Sequence, residues 1–162
     1  MPRWTRFLLT KRTIVTTVAV AGCLVVGVLI HGSLSAATKP DYQTVLPGGK
    51  PVGSLGGWKR VSPPGNDPVF AYADTIDTVP VSVSQQPLPQ SFRSDTGSQV
   101  AELARRFNAT DKIDAGNTVV YVGTSAKGPQ SAILTKDNLL ILIKSETKIN
   151  NASWAKYAES LK

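Results

Sequence analysis

The residue types that most directly suggest chemistry in this sequence are a serine and a lysine one helical turn apart, near its carboxyl end. Ser153 and Lys156 match the S-x-x-K pattern, in which the lysine helps to activate the serine hydroxyl as a nucleophile. The S-D-N and K-T-G elements that accompany this pattern in penicillin-recognising enzymes are absent from the sequence. Serine is also common in the first turn of a helix, where it caps the backbone. A secreted or lipid-anchored Ser-Lys hydrolase is therefore an alternative, and the preferred reading is non-catalytic.

Two pairs of aspartates are better explained by turns than by catalysis or metal binding. Asp74 with Asp77, and Asp111 with Asp114, are D-x-x-D pairs that could act as acid and base or bind a hard cation. Both pairs lie at predicted strand ends, where aspartate favours turns. The sequence contains one histidine and one cysteine, which excludes a multi-histidine metal site and a disulfide framework. We expect no catalytic residue, no metal and no cofactor.

The net charge of +7 is divided between two parts of the chain. The first twelve residues carry four Lys/Arg and no acid, and the other basic residues are mixed with 11 acids. This mixture is typical of an ordinary soluble surface and argues against nucleic acid as a partner. Extracellular capture of nucleic acid is the second alternative. It requires a basic cluster formed by Arg105, Arg106, Lys112, Lys127 and Lys148.

Aromatic side chains are a further means of ligand binding, because they can stack on a sugar or a peptide. Tyr72 and Tyr121 have the spacing of core residues, whereas Trp58 borders a segment rich in glycine and proline. The sequence therefore suggests one candidate binding surface, formed by Trp58, Arg105 and Arg106.

Residues 13–32 form a stretch of 20 residues without Asp, Glu, Lys or Arg. In a helix this stretch is ~30 Å long, the thickness of the hydrocarbon core of a bilayer. Lipid offers no hydrogen bonds to the backbone, so a segment inside it must form a helix. The sequence predicts one transmembrane helix here, which contains Thr13, Val20, Cys23, Val26 and Ile30.

The orientation of the chain follows from the basic residues around this stretch. Four of them precede it, whereas the first one after it is Lys39. The positive-inside bias then puts the amino terminus in the cytoplasm and the rest of the chain outside. The predicted location is the cell membrane, with a single pass, and the predicted partners are the lipid bilayer and an extracytoplasmic protein or envelope ligand.

Three processing routes are compatible with this segment. An uncleaved anchor is preferred, because the apolar stretch exceeds the ~7–15 residues usual in a signal peptide. Signal peptidase could instead cleave after Ala37, since Ser35 and Ala37 are small. Residues 20–23 also resemble a lipobox, in which Cys23 would carry a lipid. All three routes place the folded part outside the cytoplasm.

The remaining chain divides into a stalk and a domain. We expect residues 1–12 to be a cytoplasmic segment and residues 33–57 to be a flexible stalk, since the latter are rich in glycine and proline. Residues 58–162 are then the extracytoplasmic domain. Hydrophobic patterns in the domain predict the order β-β-β-α-β-β-β-α. The expected fold class is α+β, with antiparallel hairpins and two helices on one face of the sheet. The last predicted strand, residues 139–143, is apolar throughout, which indicates a central strand covered on both faces.

The last 45 or so residues resemble a known class of envelope protein. The resemblance rests on residues 119–124, residues 132–145 and the predicted final helix, residues 154–161. They resemble the extracytoplasmic C-terminal domain of membrane-anchored anti-sigma-factor-like and uncharacterised bacterial envelope proteins. The resemblance implies hairpin strands followed by a last helix. Only a dozen residues precede the membrane stretch, which leaves no room for a sigma-binding domain.

The sequence therefore predicts a single-pass, membrane-anchored extracytoplasmic module without catalytic activity, whose role is binding, sensing or envelope assembly. One apolar segment, one tether and an outer domain without histidine or cysteine support this prediction.

Overall fold

The computed structural model describes residues 39–125 and 128–162. In these two ranges the backbone forms strands, α-helices and short 3-10 turns. The strands are β1 (Lys59–Arg60), β2 (Phe70–Ile76), β3 (Val79–Pro87), β4 (Asp111–Ala115), β5 (Thr118–Ser125), β6 (Gly128–Lys136) and β7 (Leu139–Ser145). The helices are α1 (Thr96–Arg106) and α2 (Asn151–Ser160), and the 3-10 turns are Val52–Leu55 and Gln90–Phe92.

The strands form one antiparallel sheet in the order β1-β2-β3-β7-β6-β5-β4. β7 is the middle strand, with β3 on one side and β6 on the other. Its side chains alternate between two cores: Ile141 is buried on one face, and Leu142 packs on the other. A strand covered on both faces is apolar at consecutive positions. The predicted central strand is confirmed.

One face of the sheet is covered by α2. Trp154 is fully buried in this core, together with Ile141. The helix begins after Asn150, whose side chain accepts the Ser153 N–H at 2.9 Å and caps the helix. Inside the core, Gln130 Oε1 on β6 accepts the Ile149 N–H at 2.8 Å and the Trp154 indole N–H at 3.1 Å. This buried amide fixes where α2 starts on the sheet.

The opposite face is covered in part by α1. Val100 and Ala104 on the helix are buried with Ile133 of β6 in a second core. The helix is capped by Asp95, which accepts the Ser98 N–H at 3.1 Å. The Thr96 hydroxyl does not cap the helix and donates instead to the Phe92 carbonyl at 3.0 Å.

Residues before β1 belong to the folded domain on the α2 face. Val45 is 1% exposed, and its N–H and carbonyl both pair with the side-chain amide of Gln85, at 3.1 and 2.6 Å. Leu46 exchanges two backbone hydrogen bonds of 2.9 Å with Lys162. Leu55, in the first 3-10 turn, is buried in the same core. An extended segment and the end of the chain are thus joined on the surface of the sheet.

The predicted fold class is wrong. It placed two helices on one face of hairpins behind a transmembrane helix and a flexible stalk over residues 33–57. The structure has one continuous sheet with helices on opposite faces, and residues 40–57 pack against it. The error arose because a few apolar residues in a Gly/Pro-rich stretch were not recognised as core, and because the charged strand β4 has no hydrophobic pattern.

No helix in the described ranges is long and apolar enough to cross a membrane. The predicted span, residues 13–32, lies outside the described residues, together with its Thr13, Val20, Cys23, Val26 and Ile30. The predicted cleavage site at Ala37 also lies outside them.

Candidate functional site: a polar cleft between α1 and the β4–β5 hairpin

A cleft of about 650 Å³ opens between the first turn of α1 and the outer face of β4 and β5. Strand alternation determines which side chains line it. Val120 and Val122 are buried on the α2 face, so Val119 and Tyr121 point to the α1 face. Lys112 pairs with Tyr121 across the two strands, and Asp114 pairs with Val119. These four side chains form one side of the cleft.

The floor of the cleft is partly apolar. Tyr121 packs against the second core beneath α1 and is only partly buried, so it contributes to both the core and the cleft. Val119 beside it is also partly exposed. A partly exposed aromatic ring next to an aliphatic side chain can contact the apolar face of a ligand.

The opposite wall is the amino-terminal turn of α1, residues 95–98. The carboxylate of Asp95 accepts from Ser98, and this hydrogen bonding lowers the pKa of Asp95. The negative charge of the cap therefore stays at the helix start, where the helix dipole stabilises it. An anionic ligand would have to approach this carboxylate.

A smaller pocket of about 200 Å³ continues the cleft toward the β6–β7 turn. The two concavities share Thr96, Asn117, Thr118 and Thr135 as lining residues. The Thr118 hydroxyl already donates to the Thr135 carbonyl at 2.7 Å, and this bond holds β5 to β6 at the junction. The floor of the cleft is therefore a fixed part of the sheet.

Several polar groups of the cleft have no side-chain hydrogen bond to the rest of the described protein. They are the Lys112 ammonium, the Asp114 carboxylate, the Asn117 amide and the Tyr121 hydroxyl. Lys112 and Asp114 are opposite in charge and lie two residues apart on the same strand face, and with Asp95 the lining carries one positive and two negative side chains. Polar groups that converge on one concavity are typical of a ligand-binding site.

The residues of the S-x-x-K pattern lie elsewhere, on α2 and the other face of the sheet. The Ser153 hydroxyl donates to the carboxylate of Asp77, in the β2–β3 turn. Lys156 is exposed and donates no hydrogen bond to Ser153 in the described structure. The hydroxyl proton is thus directed at an aspartate and not at the lysine.

The residues of the suggested binding surface do not lie together. Trp58 is half-buried on the α2 face, where its ring packs edge-on against Tyr72 with centroids 5.2 Å apart. Arg105 and Arg106 are exposed at the end of α1, on the opposite face, and both pair with Glu102 at 2.9 and 3.0 Å. Hydrogen bonds from Arg105 and Arg106 lower the pKa of Glu102 to about 2.

The residues required for nucleic-acid capture are also placed in different surroundings. Lys112 lines the cleft beside Asp114, and Arg105 and Arg106 pair with Glu102. Lys148 is exposed in the loop before α2, and Lys127 lies outside the described residues.

In neither aspartate pair do the two carboxylates point to the same place. Asp111 and Asp114 are three residues apart in a strand, so their side chains point to opposite faces. Asp74 bonds to Lys50 and Tyr157, whereas Asp77 lies in a turn with positive φ. Over the described ranges, no group of three or more His, Cys, Asp or Glu side chains could hold a metal ion.

No family model, curated protein or solved structure matches this chain. The resemblance of the last 45 or so residues to anti-sigma-factor-like outer domains therefore stays a prediction from sequence.

The cleft was missed by sequence reasoning, although Tyr121 was noted as an aromatic that could stack on a ligand. Its lining comes from α1, β4, β5 and β6, which are distant in the chain. Residues 119–122 are Val-Val-Tyr-Val, so no alternation in the sequence marks Val119 and Tyr121 as the two partly exposed positions.

Proposed function

We propose that this protein is a membrane-anchored extracytoplasmic module that binds a ligand of the cell envelope in the cleft without catalysing a reaction. The observation that carries the proposal is the convergence of Lys112, Asp114, Asn117 and Tyr121 on one concavity with no partners among the described residues. Unpaired polar groups of both signs, held on a rigid sheet, favour binding of a polar ligand.

The separation of the cleft from the serine–lysine pattern supports a binding role over hydrolysis. Ser153 and Lys156 lie on α2, with the sheet between them and the cleft. A nucleophile must lie within reach of the bound substrate, about 3 Å from the atom that it attacks. A ligand in the cleft would not meet this serine.

The position of the first packed residue supports a site close to the membrane. The apolar stretch ends at residue 32, and Pro40 is already buried in the domain. Eight residues span at most ~28 Å when fully extended. A domain anchored by the apolar stretch would therefore stay within about one bilayer thickness of the lipid surface, and its ligand must be available there.

Reporter fusions test the anchoring and the orientation. We expect a reporter that is active only outside the cytoplasm to work when fused after Lys162 and to fail when fused before Met1. Carbonate washing of the membranes should leave the chain in the membrane fraction. Activity of the amino-terminal fusion alone, or release of the unprocessed chain into the soluble fraction, would contradict the proposal.

Nuclear magnetic resonance tests the binding. We expect a soluble digest of the cell envelope to shift the side-chain amide resonance of Asn117 in the full-length protein embedded in phospholipid nanodiscs. The side-chain amide of Asn151, at the start of α2 on the other face, is the internal control and should not move. A digest that shifts neither resonance would contradict ligand binding in the cleft.

A further inference from the structure

We infer that the ligand of the cleft is an uncharged saccharide, a short chain of sugar rings whose hydroxyls are not ionised. This inference rests on the proposed binding function and specifies the chemistry of its ligand.

The floor matches one face of a sugar ring. A pyranose carries C–H groups on its flat faces and hydroxyls around its edge, so it presents an apolar patch together with a polar periphery. Tyr121 and Val119, side by side on β5 and both partly exposed, form an apolar patch of this kind. An aromatic ring that is held by the core beneath it loses little side-chain entropy when a ligand stacks on it.

The rim matches the hydroxyls. Each sugar hydroxyl can donate one hydrogen bond and accept two, and it can therefore pair with a carboxylate, an ammonium or an amide. Asp114 offers acceptors, Lys112 offers donors, and Asn117 offers both. Lys112 and Asp114 lie beside the apolar patch, since Lys112 is opposite Tyr121 in the strand register and Asp114 is opposite Val119. Asn117 lies in the turn between β4 and β5, two residues before Val119.

The charges of the lining disfavour an anionic ligand. The cleft contains one lysine, Lys112, and two aspartates, Asp95 and Asp114. A phosphate or a carboxylate would be attracted by the first and repelled by the other two. An uncharged ligand that makes charge-assisted hydrogen bonds to both signs avoids this repulsion.

The shape of the cleft favours a saccharide over a peptide. Proteins commonly bind peptides along the free edge of a strand or in deep apolar pockets that hold the peptide side chains. The cleft is lined by the face of β4 and β5 and not by the free edge of β4, and its lining is mainly polar. A volume of about 650 Å³, which continues into a smaller pocket of about 200 Å³, has the size of a small-molecule site.

The experiment uses the full-length protein in phospholipid nanodiscs, because detergents with sugar headgroups would compete for the cleft. Maltotriose and triacetylchitotriose are the two saccharide probes, and trialanine is the peptide probe. We expect at least one trisaccharide to shift the Tyr121 ring and the Asn117 amide resonances in a saturable way, with a dissociation constant near the millimolar range. Trialanine should leave both resonances unchanged.

Two variants of the same edge strand provide a matched comparison. Asp114→Asn removes a charge from the cleft, whereas Asp111→Asn removes one from the opposite face of β4, and both aspartates are exposed. We expect Asp114→Asn to weaken saccharide binding about fivefold to tenfold, the difference between a hydrogen bond to a charged group and one to a neutral amide. Asp111→Asn should bind like the native protein. Tyr121→Phe should retain stacking, whereas Tyr121→Ala should abolish binding.

The result that overturns the inference differs from the one that overturns the binding function. If the envelope digest shifts Asn117 but neither trisaccharide does, the ligand is not an uncharged saccharide although the cleft binds. If trialanine shifts it and the saccharides do not, the ligand is a peptide. Equal weakening by Asp111→Asn and Asp114→Asn would place the saccharide outside the cleft and would also overturn the inference.

Discussion

The ammonium group of Lys50 lies 2.6 Å from one carboxylate oxygen of Asp74, and the carboxylate is almost fully buried. Its other oxygen accepts the hydroxyl of Tyr157 at 3.0 Å. Lys50 belongs to the segment before β1, Asp74 to β2 and Tyr157 to α2. One carboxylate thus connects three parts of the chain, and it connects the segment that the sequence indicated as a stalk to the core of the domain.

Replacing Lys50 with methionine tests this connection. The carboxylate of Asp74, which is 4% exposed, would keep only the Tyr157 hydroxyl, and a buried charge that loses its partner destabilises the fold. Lys50 is itself 42% exposed, so solvent reduces the effect, and we expect a loss of about 1–2 kcal/mol. Urea denaturation of the full chain measures it. Lys156→Met, at an exposed lysine of α2, is the control, and its unfolding midpoint in urea should equal that of the native protein. Equal midpoints for the two variants would contradict a stabilising ion pair between Lys50 and Asp74.

Gln85 and Gln86 provide a second comparison, because they are adjacent in β3 and point to opposite faces. The Gln85 amide is fully buried and pairs with the N–H and the carbonyl of Val45, whereas Gln86 is partly exposed. Gln85→Leu would leave both backbone groups of Val45 unpaired in the core. We expect it to lower the free energy of unfolding by about 2–4 kcal/mol and to remove the hydrogen-exchange protection of the Val45 amide. Gln86→Leu should change the free energy of unfolding by no more than about 0.5 kcal/mol. It should change the hydrogen-exchange protection of the Val45 amide by no more than a few-fold.

The charge cluster at the end of α1 predicts a pH dependence. The pKa of Glu102 falls from 4.5 to about 2, first because Arg105 donates to it and second because Arg106 does. Since the pKa in the folded state lies below that in the unfolded state, the stabilisation is present above about pH 4.5 and is lost as the pH falls toward 2.

Carbon-13 NMR of the Glu102 side chain measures this pKa directly. We expect a titration midpoint near 2 in the native protein and a midpoint closer to 4.5 in Arg105→Gln. An unchanged midpoint in that variant would show that Arg105 does not pair with Glu102 in solution.

Parts of the fold could be predicted because the signal is local. The run from Leu139 to Ile143 is apolar at every position, which requires cover on both faces, and the structure places β7 at the centre of the sheet. Asn150 before an apolar helical pattern is a standard N-cap signal, and its side chain caps α2.

Other parts could not be predicted because their stability depends on distant residues. β4 is an edge strand with charges at Asp111, Lys112 and Asp114, and only its pairing with β5 makes it a strand. Val45 packs in the core because Gln85, 40 residues away, supplies its hydrogen bonds. The cleft has the same origin, because no local pattern connects the start of α1 with β4 and β5.

A glycine of β5 gives the last prediction. A Cβ atom at Gly123 would overlap the carbonyl oxygen of Asn108 and the Cα of Ala109. Asn108 has a positive φ of 54°, and Ala109 is fully buried, with its N–H donating to the Ala104 carbonyl at 2.8 Å. The chain that leaves α1 therefore crosses directly over β5 at Gly123 before it enters β4.

Gly123→Ala should consequently destabilise the domain more than any other glycine-to-alanine change that leaves φ in an ordinary region. Backbone atoms form the obstacle and cannot rotate away as a flexible side chain could, so we expect a loss of about 3 kcal/mol or more in urea denaturation. Gly53→Ala is the control, since a Cβ there meets nothing within 4 Å, and it should change stability by less than about 0.5 kcal/mol. Equal stability of the two variants would contradict this prediction. It would mean that the segment between α1 and β4 passes β5 at a greater distance than the structure shows.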